Sequence, residues 1–295
     1  MKKACIWGGI AYGLILTAFT VFLLMDTFVI TRVYSYAEST TPAPQDVPIL
    51  TMVDTLHEYD DGNISVTVSL YRGFDSDIYV ADVVLSSPTQ LRTAFAKDAY
   101  GRNIREQPSE IAERVGAILA INGDYYGAQE RGFVLRNGVI YRTTRAKDQE
   151  ELAVYADGSF KIVNRKNVRL QTLLDAGAVQ VFSFGPALVE DGEISVQQSE
   201  LRGKDKTRNP RTAIGHVDGL HYVFVVADGR TDTSDGLTIL ELAGVMQHLG
   251  AETAYNLDGG GSSCMVFDGR VVNVPTTTGA SSKEREVSDI VYIGY

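Results

Sequence analysis

The sequence predicts an α+β fold, with a mixed, mostly antiparallel sheet and few helices, preceded by one N-terminal transmembrane helix. Three observations carry this. Short runs with period-two or fully apolar patterning outnumber helical patterns. Asn137-Gly138, Asp157-Gly158, Asp218-Gly219 and Asp268-Gly269 each join two such runs, and these are the pairs that suit two-residue hairpin turns. The order of elements is not the regular alternation of βαβ units.

The N-terminus stands apart. Lys2 and Lys3 precede an apolar run from Ala4 to Met25, about 22 residues, and Asp26 and Arg32 follow. That length spans a bilayer as a helix. Positive charge before it puts residues 1–30 down as a cytoplasmic tip and membrane anchor, with the remainder outside the cell. A cleaved signal peptide is the alternative. Its candidate cleavage site, Ser35-Tyr36-Ala37, lies well beyond the apolar stretch. Residues 31–60 read as a polar extracellular linker centred on Ser39 to Pro44, and residues 61–295 as one domain.

Within the domain, Ile64 to Leu70 alternates with period two, and Ile78 to Leu85 is a second run of strand length. Pro108-Ser109-Glu110 opens a short helix through Val115. Ala117 to Ile121 is a fully apolar strand that ends at Asn122-Gly123-Asp124. Hairpins follow over 133–141, 154–163 and 211–226. Thr238 and Glu241 have capping-box spacing before an apolar face of Ile239, Leu242, Ala243, Met246 and Leu249, and Gly250 ends that helix. A strand from Thr253 runs into Asp258-Gly259-Gly260-Gly261-Ser262-Ser263, and a hairpin over 265–274 closes the series.

Composition narrows the function. The net charge of −10 disfavours a nucleic-acid partner, which needs a basic face. Of two cysteines, Cys5 sits in the apolar run, so the exported part holds Cys264 alone and no internal disulfide. With no histidine beside it, Cys264 reads as a small buried residue. His57, His216, His221 and His248 show no metal-ligand spacing. No cofactor is required, although a calcium or magnesium ion held by Asp and carbonyl oxygens stays open.

The chemistry concentrates where apolar strands end. Three consecutive glycines carry a large backbone entropy cost, so they belong where the chain turns sharply or approaches a ligand closely. The loop lacks the Gly-Lys-Ser/Thr of a P-loop and the spacing of the dinucleotide fingerprint. Asp124, Asp228 and Asp258 each follow a strand, and together they would supply the paired carboxylates that acid–base work at an acetal centre needs. Arg211, Arg230 and Arg285 add guanidinium forks suited to phosphate.

Five segments in order carry a family resemblance: Ala120 to Tyr126 (AINGDYY), Asn209 to Gly215 (NPRTAIG), Asp228-Gly229-Arg230, Leu237 to Ala243 (LTILELA) and Asn256 to Ser263 (NLDGGGSS), closed by Glu284-Arg285. Over about residues 60–295 the chain resembles the phosphodiester glycosidase family, whose bacterial members are often labelled exopolysaccharide biosynthesis proteins. Two positions depart from its pattern: Asp124-Tyr125-Tyr126 where Gly-Phe-Phe is common, and Cys264 where a Thr is common. The resemblance implies hydrolysis of a sugar 1-phosphodiester in a cell-surface glycan. Asp258, Asp228, Glu284 and Asn122 are then the catalytic candidates. Arg211, Arg230, Asn256, Gly259, Gly260, Gly261, Ser262, Arg285 and Asp124 are the candidates for binding substrate and phosphate. A metal-dependent phosphodiesterase and a non-catalytic module for anionic wall polysaccharide remain the alternatives.

Overall fold

The computed structural model describes residue 7 and residues 12–22, 50–144, 149–164, 168–199 and 201–295. The chain divides into two units, Met1–Asp46 and Val47–Tyr295. In the first, Trp7 and residues 12–22 are helical, with Leu14, Ile15 and Phe19 exposed. The rest of the expected anchor and most of the expected linker lie outside the described residues. Among the described residues, no helix is long and apolar enough to cross a membrane.

The second unit is α+β. One mixed sheet was expected. Three sheets are present, of eight, five and five strands, and among the described residues every strand pairing is antiparallel. The largest contains Thr51–Asp60, Ile64–Gly73, Ser76–Leu85, His221–Ala227, Arg211–Asp218 and Thr253–Asn256 in spatial order, followed by Ala187–Glu190 and Glu193–Ile194. Thr51–Asp60 corrects the expected linker boundary at residue 60. It is an edge strand, and only Leu56, His57 and Tyr59 are partly buried. Its polar, mostly exposed side chains gave no alternation to read.

Alternation explains the layering. Ile64, Val66 and Val68 are buried on one face of the large sheet, against Leu152 and Phe182 of one small sheet and Ile121 and Val291 of the other. Ile78, Val80 and Val225 point to the opposite face, where the helix Ile239–His248 packs through Leu242, Ala243 and Met246. Each small sheet also carries a helix on its outward face. Pro108–Val115 buries Ile111 and Ala112 against Ala120 and Ile290. Leu170–Asp175 buries Leu170 and Leu173 against Leu135 and Val181.

The turn chemistry holds at two of the four pairs; at Asp157-Gly158 and Asp218-Gly219 only the glycine has positive φ, 91° and 46°, and neither pair is itself the two-residue loop. Asn137 and Gly138 have φ of 50° and 78°, and Asp268 and Gly269 have 47° and 71°, as two-residue hairpin turns demand. Thr238 and Glu241 form the reciprocal capping box, and Gly250 follows the helix at φ 81°.

Candidate active site

Register brings the polar strand ends together. Arg211 pairs with Ala227, and Ala213 pairs with Asn256, so the start of one strand and the ends of two others share one end of the large sheet. Asp228 and Asp258 follow directly. The small-sheet strand Leu119–Asn122 arrives at the same place. The Asn122 Nδ2 donates to the Asp258 carbonyl at 2.7 Å, and the Asp258 N–H donates to the Gly123 carbonyl at 3.2 Å.

At the centre are Asp258, Ser262 and Arg285. Gly260–Ser262 forms a single 3-10 turn, which swings the Ser262 hydroxyl back toward Asp258. That hydroxyl and the Gly259 N–H both favour the ionised form of the Asp258 carboxylate. The Arg285 Nε and Nη2 both donate to Ser262 Oγ, and Nη2 also lies 3.3 Å from Asp258 Oδ2. The Asp258 side chain is 11% exposed and the Arg285 side chain 38%. The site therefore presents a nearly sealed carboxylate behind a guanidinium that meets solvent. Burial pushes the Asp258 carboxyl above its ordinary value, and Ser262 and Arg285 pull it back.

Arg285 arrives on an irregular loop between Asn273 and Val287, pinned where the Lys283 N–H donates to the Pro275 carbonyl. The same loop explains one of the glycines, and Arg230 explains another. A methyl group on Gly261 would lie 2.4 Å from Thr277 Oγ1. Gly260 has φ 62°, and a methyl there would lie 2.9 Å from the Arg230 guanidinium. These glycines were expected to bare their amides to a ligand. Instead the Gly260 N–H is spent on the Pro210 carbonyl, and the missing side chains make room for the protein's own Thr277 and Arg230.

The other expected residues fall into three groups. Asp228 is buried beside the glycine loop, where its carboxylate accepts from Asn273 Nδ2 at 2.8 Å and from the Val274 N–H at 2.9 Å. Asn273 also donates to the Ser263 carbonyl, so it brackets Asp228 to the loop. Burial raises the Asp228 carboxyl. Glu284 accepts from the Ser109 N–H and hydroxyl at 3.0 and 2.8 Å, in the first turn of the helix Pro108–Val115. The buried Cys264 thiol lies 3.9 Å from Glu284, and burial pushes its pKa well up. A neutral thiol there agrees with its reading as a packing residue.

Arg230 forms part of the wall, donating to Asn209 Oδ1 and to the Thr277 carbonyl at 2.7 Å. Arg211 stands next to the loop, but its guanidinium turns away. Nε donates to the Leu237 carbonyl, and Nη2 donates to the Lys204 and Thr207 carbonyls. Burial lowers it to about 10, which still leaves it charged at neutral pH. The side-chain amides of Asn122 and Asn256 are also sealed. Asn122 Oδ1 accepts from the Thr212 hydroxyl and the Cys264 N–H, and Asn256 Nδ2 donates to the Gly185 carbonyl at 2.7 Å. Arg211, expected to hold the phosphate, and Asn122 and Asn256, expected to bind sugar hydroxyls or orient a carboxylate, bond here mainly to the protein's own groups, while the buried Asn256 Oδ1 has no hydrogen-bond partner among the described residues.

Asp124 departs furthest from expectation. It is fully buried 2.9 Å from Arg136 Nη2, and the same nitrogen lies 2.9 Å from Asp289. The Ser183 and Tyr126 N–H groups complete its bonds. This cluster pins a turn in which Tyr125 takes φ 64°, with the Arg285 guanidinium 6.0 Å from the centre of its ring. A bulky residue in the left-handed region needs such restraint. Arg136 gave no sequence signal beyond one charge within an apolar hairpin. Among the described residues no three His, Cys, Asp or Glu side chains gather as a metal cluster.

Residues 115–294 match the family described as phosphodiester glycosidase. An uncharacterized SPbeta prophage-derived protein of Bacillus subtilis, YomE, is 28% identical over 201 residues, covering 66% of this chain and 31% of its own length. The mouse N-acetylglucosamine-1-phosphodiester alpha-N-acetylglucosaminidase is 30% identical over 189 residues, covering 58% and 36%. The chain thus spans about a third of the length of these two relatives. Its fold is similar to the catalytic domain of the zebrafish N-acetylglucosamine-1-phosphodiester alpha-N-acetylglucosaminidase, auto-inhibited by its pro-peptide, with a TM-score of 0.62 at 19% identity over 83% of this chain and 88% of that one. A hypothetical protein from Synechocystis shares the fold with a TM-score of 0.61 at 13% identity, over 84% and 68%. With most of its folded unit matched, the chain belongs to the phosphodiester glycosidase family.

Proposed function

We propose that this protein hydrolyses the glycosidic bond of a sugar 1-phosphodiester in a cell-surface glycan. The observation that carries the reading is the Asp258–Ser262–Arg285 constellation, where a buried carboxylate sits behind a half-exposed guanidinium at converging strand ends. The mouse relative, named for removing N-acetylglucosamine from a 1-phosphodiester, supports the same bond as the one broken.

Water adds to the anomeric carbon, and the bond from that carbon to the phosphate oxygen breaks. The electron pair leaves with the phosphate monoester, and the water proton passes to a carboxylate or to solvent. A phosphate departs more readily than an alcohol, so charge stabilisation matters more here than a strong general acid. Arg285 holds the phosphate and meets its growing charge. Asp258 faces the positive, oxocarbenium-like centre as nucleophile, base or electrostatic partner. Asn122, Asp228 and Glu284 act as positioning groups for the loops that carry these two. Arg230 and Thr277 shape the wall.

Hydrolysis in water enriched in heavy oxygen tests the reading. Label in the released sugar is the expected result. Label in the phosphate would replace the glycosidase with a phosphodiesterase that breaks the P–O bond. The anchor belongs to the same proposal. The Ala4–Met25 run behind Lys2 and Lys3 would hold the domain on the outer face of the cell membrane. Full-length protein that washes off membranes in alkaline carbonate would remove that part.

A further inference from the structure

A hollow of about 360 Å³ opens beside Arg285. Arg105, Lys283 and Arg285 line it, with Thr278, Ser281 and Glu286. Glu284 also borders it, but both its oxygens are occupied by Ser109. Arg105 and Lys283 have no ion-pair partner among the described residues. Arg285 engages Asp258 and Ser262 through Nε and Nη2, and its Nη1 makes no hydrogen bond among the described residues. Three cations and two carboxylates, Glu284 and Glu286, therefore line the hollow, and Arg105 and Lys283 are the two cations without an ion pair among the described residues.

We infer that this hollow is a subsite for a second anionic group, carried by the phosphate monoester that leaves. The inference rests on the reading above, in which Arg285 grips the scissile phosphate. Whatever is esterified to that phosphate then extends past Arg285, toward Arg105 and Lys283. Pockets of roughly 300 Å³ and more hold small ligands, so a phosphate on a three-carbon stem fits. The Thr278 and Ser281 hydroxyls suit its remaining oxygens. The substrate class is thus a sugar 1-phosphodiester whose other ester arm bears a further phosphate or carboxylate, as in a chain of repeating anionic units.

The test compares matched esters on the full-length protein: a hexose 1-phosphate esterified to glycerol, to glycerol phosphate, and to glyceric acid. The readout is the ratio of kcat/KM for each charged ester to that for the neutral one. The wild-type ratio should exceed about five at low salt and fall as salt rises. Lys283→Gln and Arg105→Gln should each reduce it about three-fold, the size of one exposed charge pair. A ratio near one that neither salt nor the variants change overturns the subsite and leaves the glycosidase standing. The phosphate and carboxylate arms identify which anion is preferred. If no ester is cleaved, the glycosidase reading fails, and calorimetry with glycerol 3-phosphate decides the subsite. Binding that the Arg105→Gln, Lys283→Gln double variant loses supports it, and equal binding by both proteins ends it.

Discussion

Two guanidinium–carboxylate clusters lie within one strand end of each other, and they do opposite work. In the first, Arg136 sits between Asp124 and Asp289, and no side chain in it is more than 1% exposed. In the second, Arg285 meets Asp258 and Ser262 with its side chain 38% exposed. The chemistry of the groups is the same, but their access to water differs. Sealed charges have no route to a substrate, and their bonds fix a turn. That turn aims the Tyr125 ring at Arg285. The buried cluster thus serves the open one, as a scaffold serves a site.

Mutation separates the two roles. The largest effect falls on Asp258→Asn, expected to cost about 10³-fold or more in kcat, roughly 4 kcal/mol of barrier, with little change in urea midpoint. Arg136→Met should do the reverse. It leaves two carboxylates buried without their cation and should lower unfolding free energy by about 3–5 kcal/mol in a urea titration. Turnover per folded molecule should fall far less than in Asp258→Asn, since only the aim of the Tyr125 turn is disturbed. If Arg136→Met keeps its stability while Asp258→Asn unfolds, the assignment of the two clusters is inverted.

A smaller effect sharpens the comparison through pH. Burial raises the Asp258 carboxyl, and the Arg285 charge lowers it again. Activity that needs the ionised form is lost as pH falls through that raised value, above the ordinary aspartate range of about 3.9. Arg285→Gln removes the opposing charge, so the acid limb of kcat/KM should move to higher pH. The plateau should also drop about 10- to 100-fold, as one phosphate-holding donor is lost. An acid limb that stays in place would detach Asp258 from the pH profile.

Much of this was legible before any coordinates. Hairpins announced themselves through Asn-Gly and Asp-Gly pairs; φ above zero at both positions restricts the residues that fit at Asn137-Gly138 and Asp268-Gly269, while at Asp157-Gly158 and Asp218-Gly219 only the glycine needs it. The glycine loop stood out because three glycines are too costly for a packed core. Which atoms each side chain meets was not legible. Arg211 and Arg230 look alike in sequence, yet one is buried against the Leu237, Lys204 and Thr207 carbonyls and the other stays partly exposed beside the glycine loop. Asp124 and Asp258 both follow a strand, and only burial against Arg136 separates them. Those differences depend on residues such as Asp289 and Asn273, far along the chain and unmarked by any local pattern.

The strand Asp289–Ile293 lies inside its small sheet, paired on one side with Leu91–Phe95 and on the other with Leu119–Asn122. Arg285 precedes it by four residues, while the hydroxyl it grips belongs to the glycine loop. The two halves of the centre are thus carried by segments of different sheets, and they meet only once this inner strand is docked between its neighbours. Loosening that strand would part the guanidinium from its partners without touching either of them.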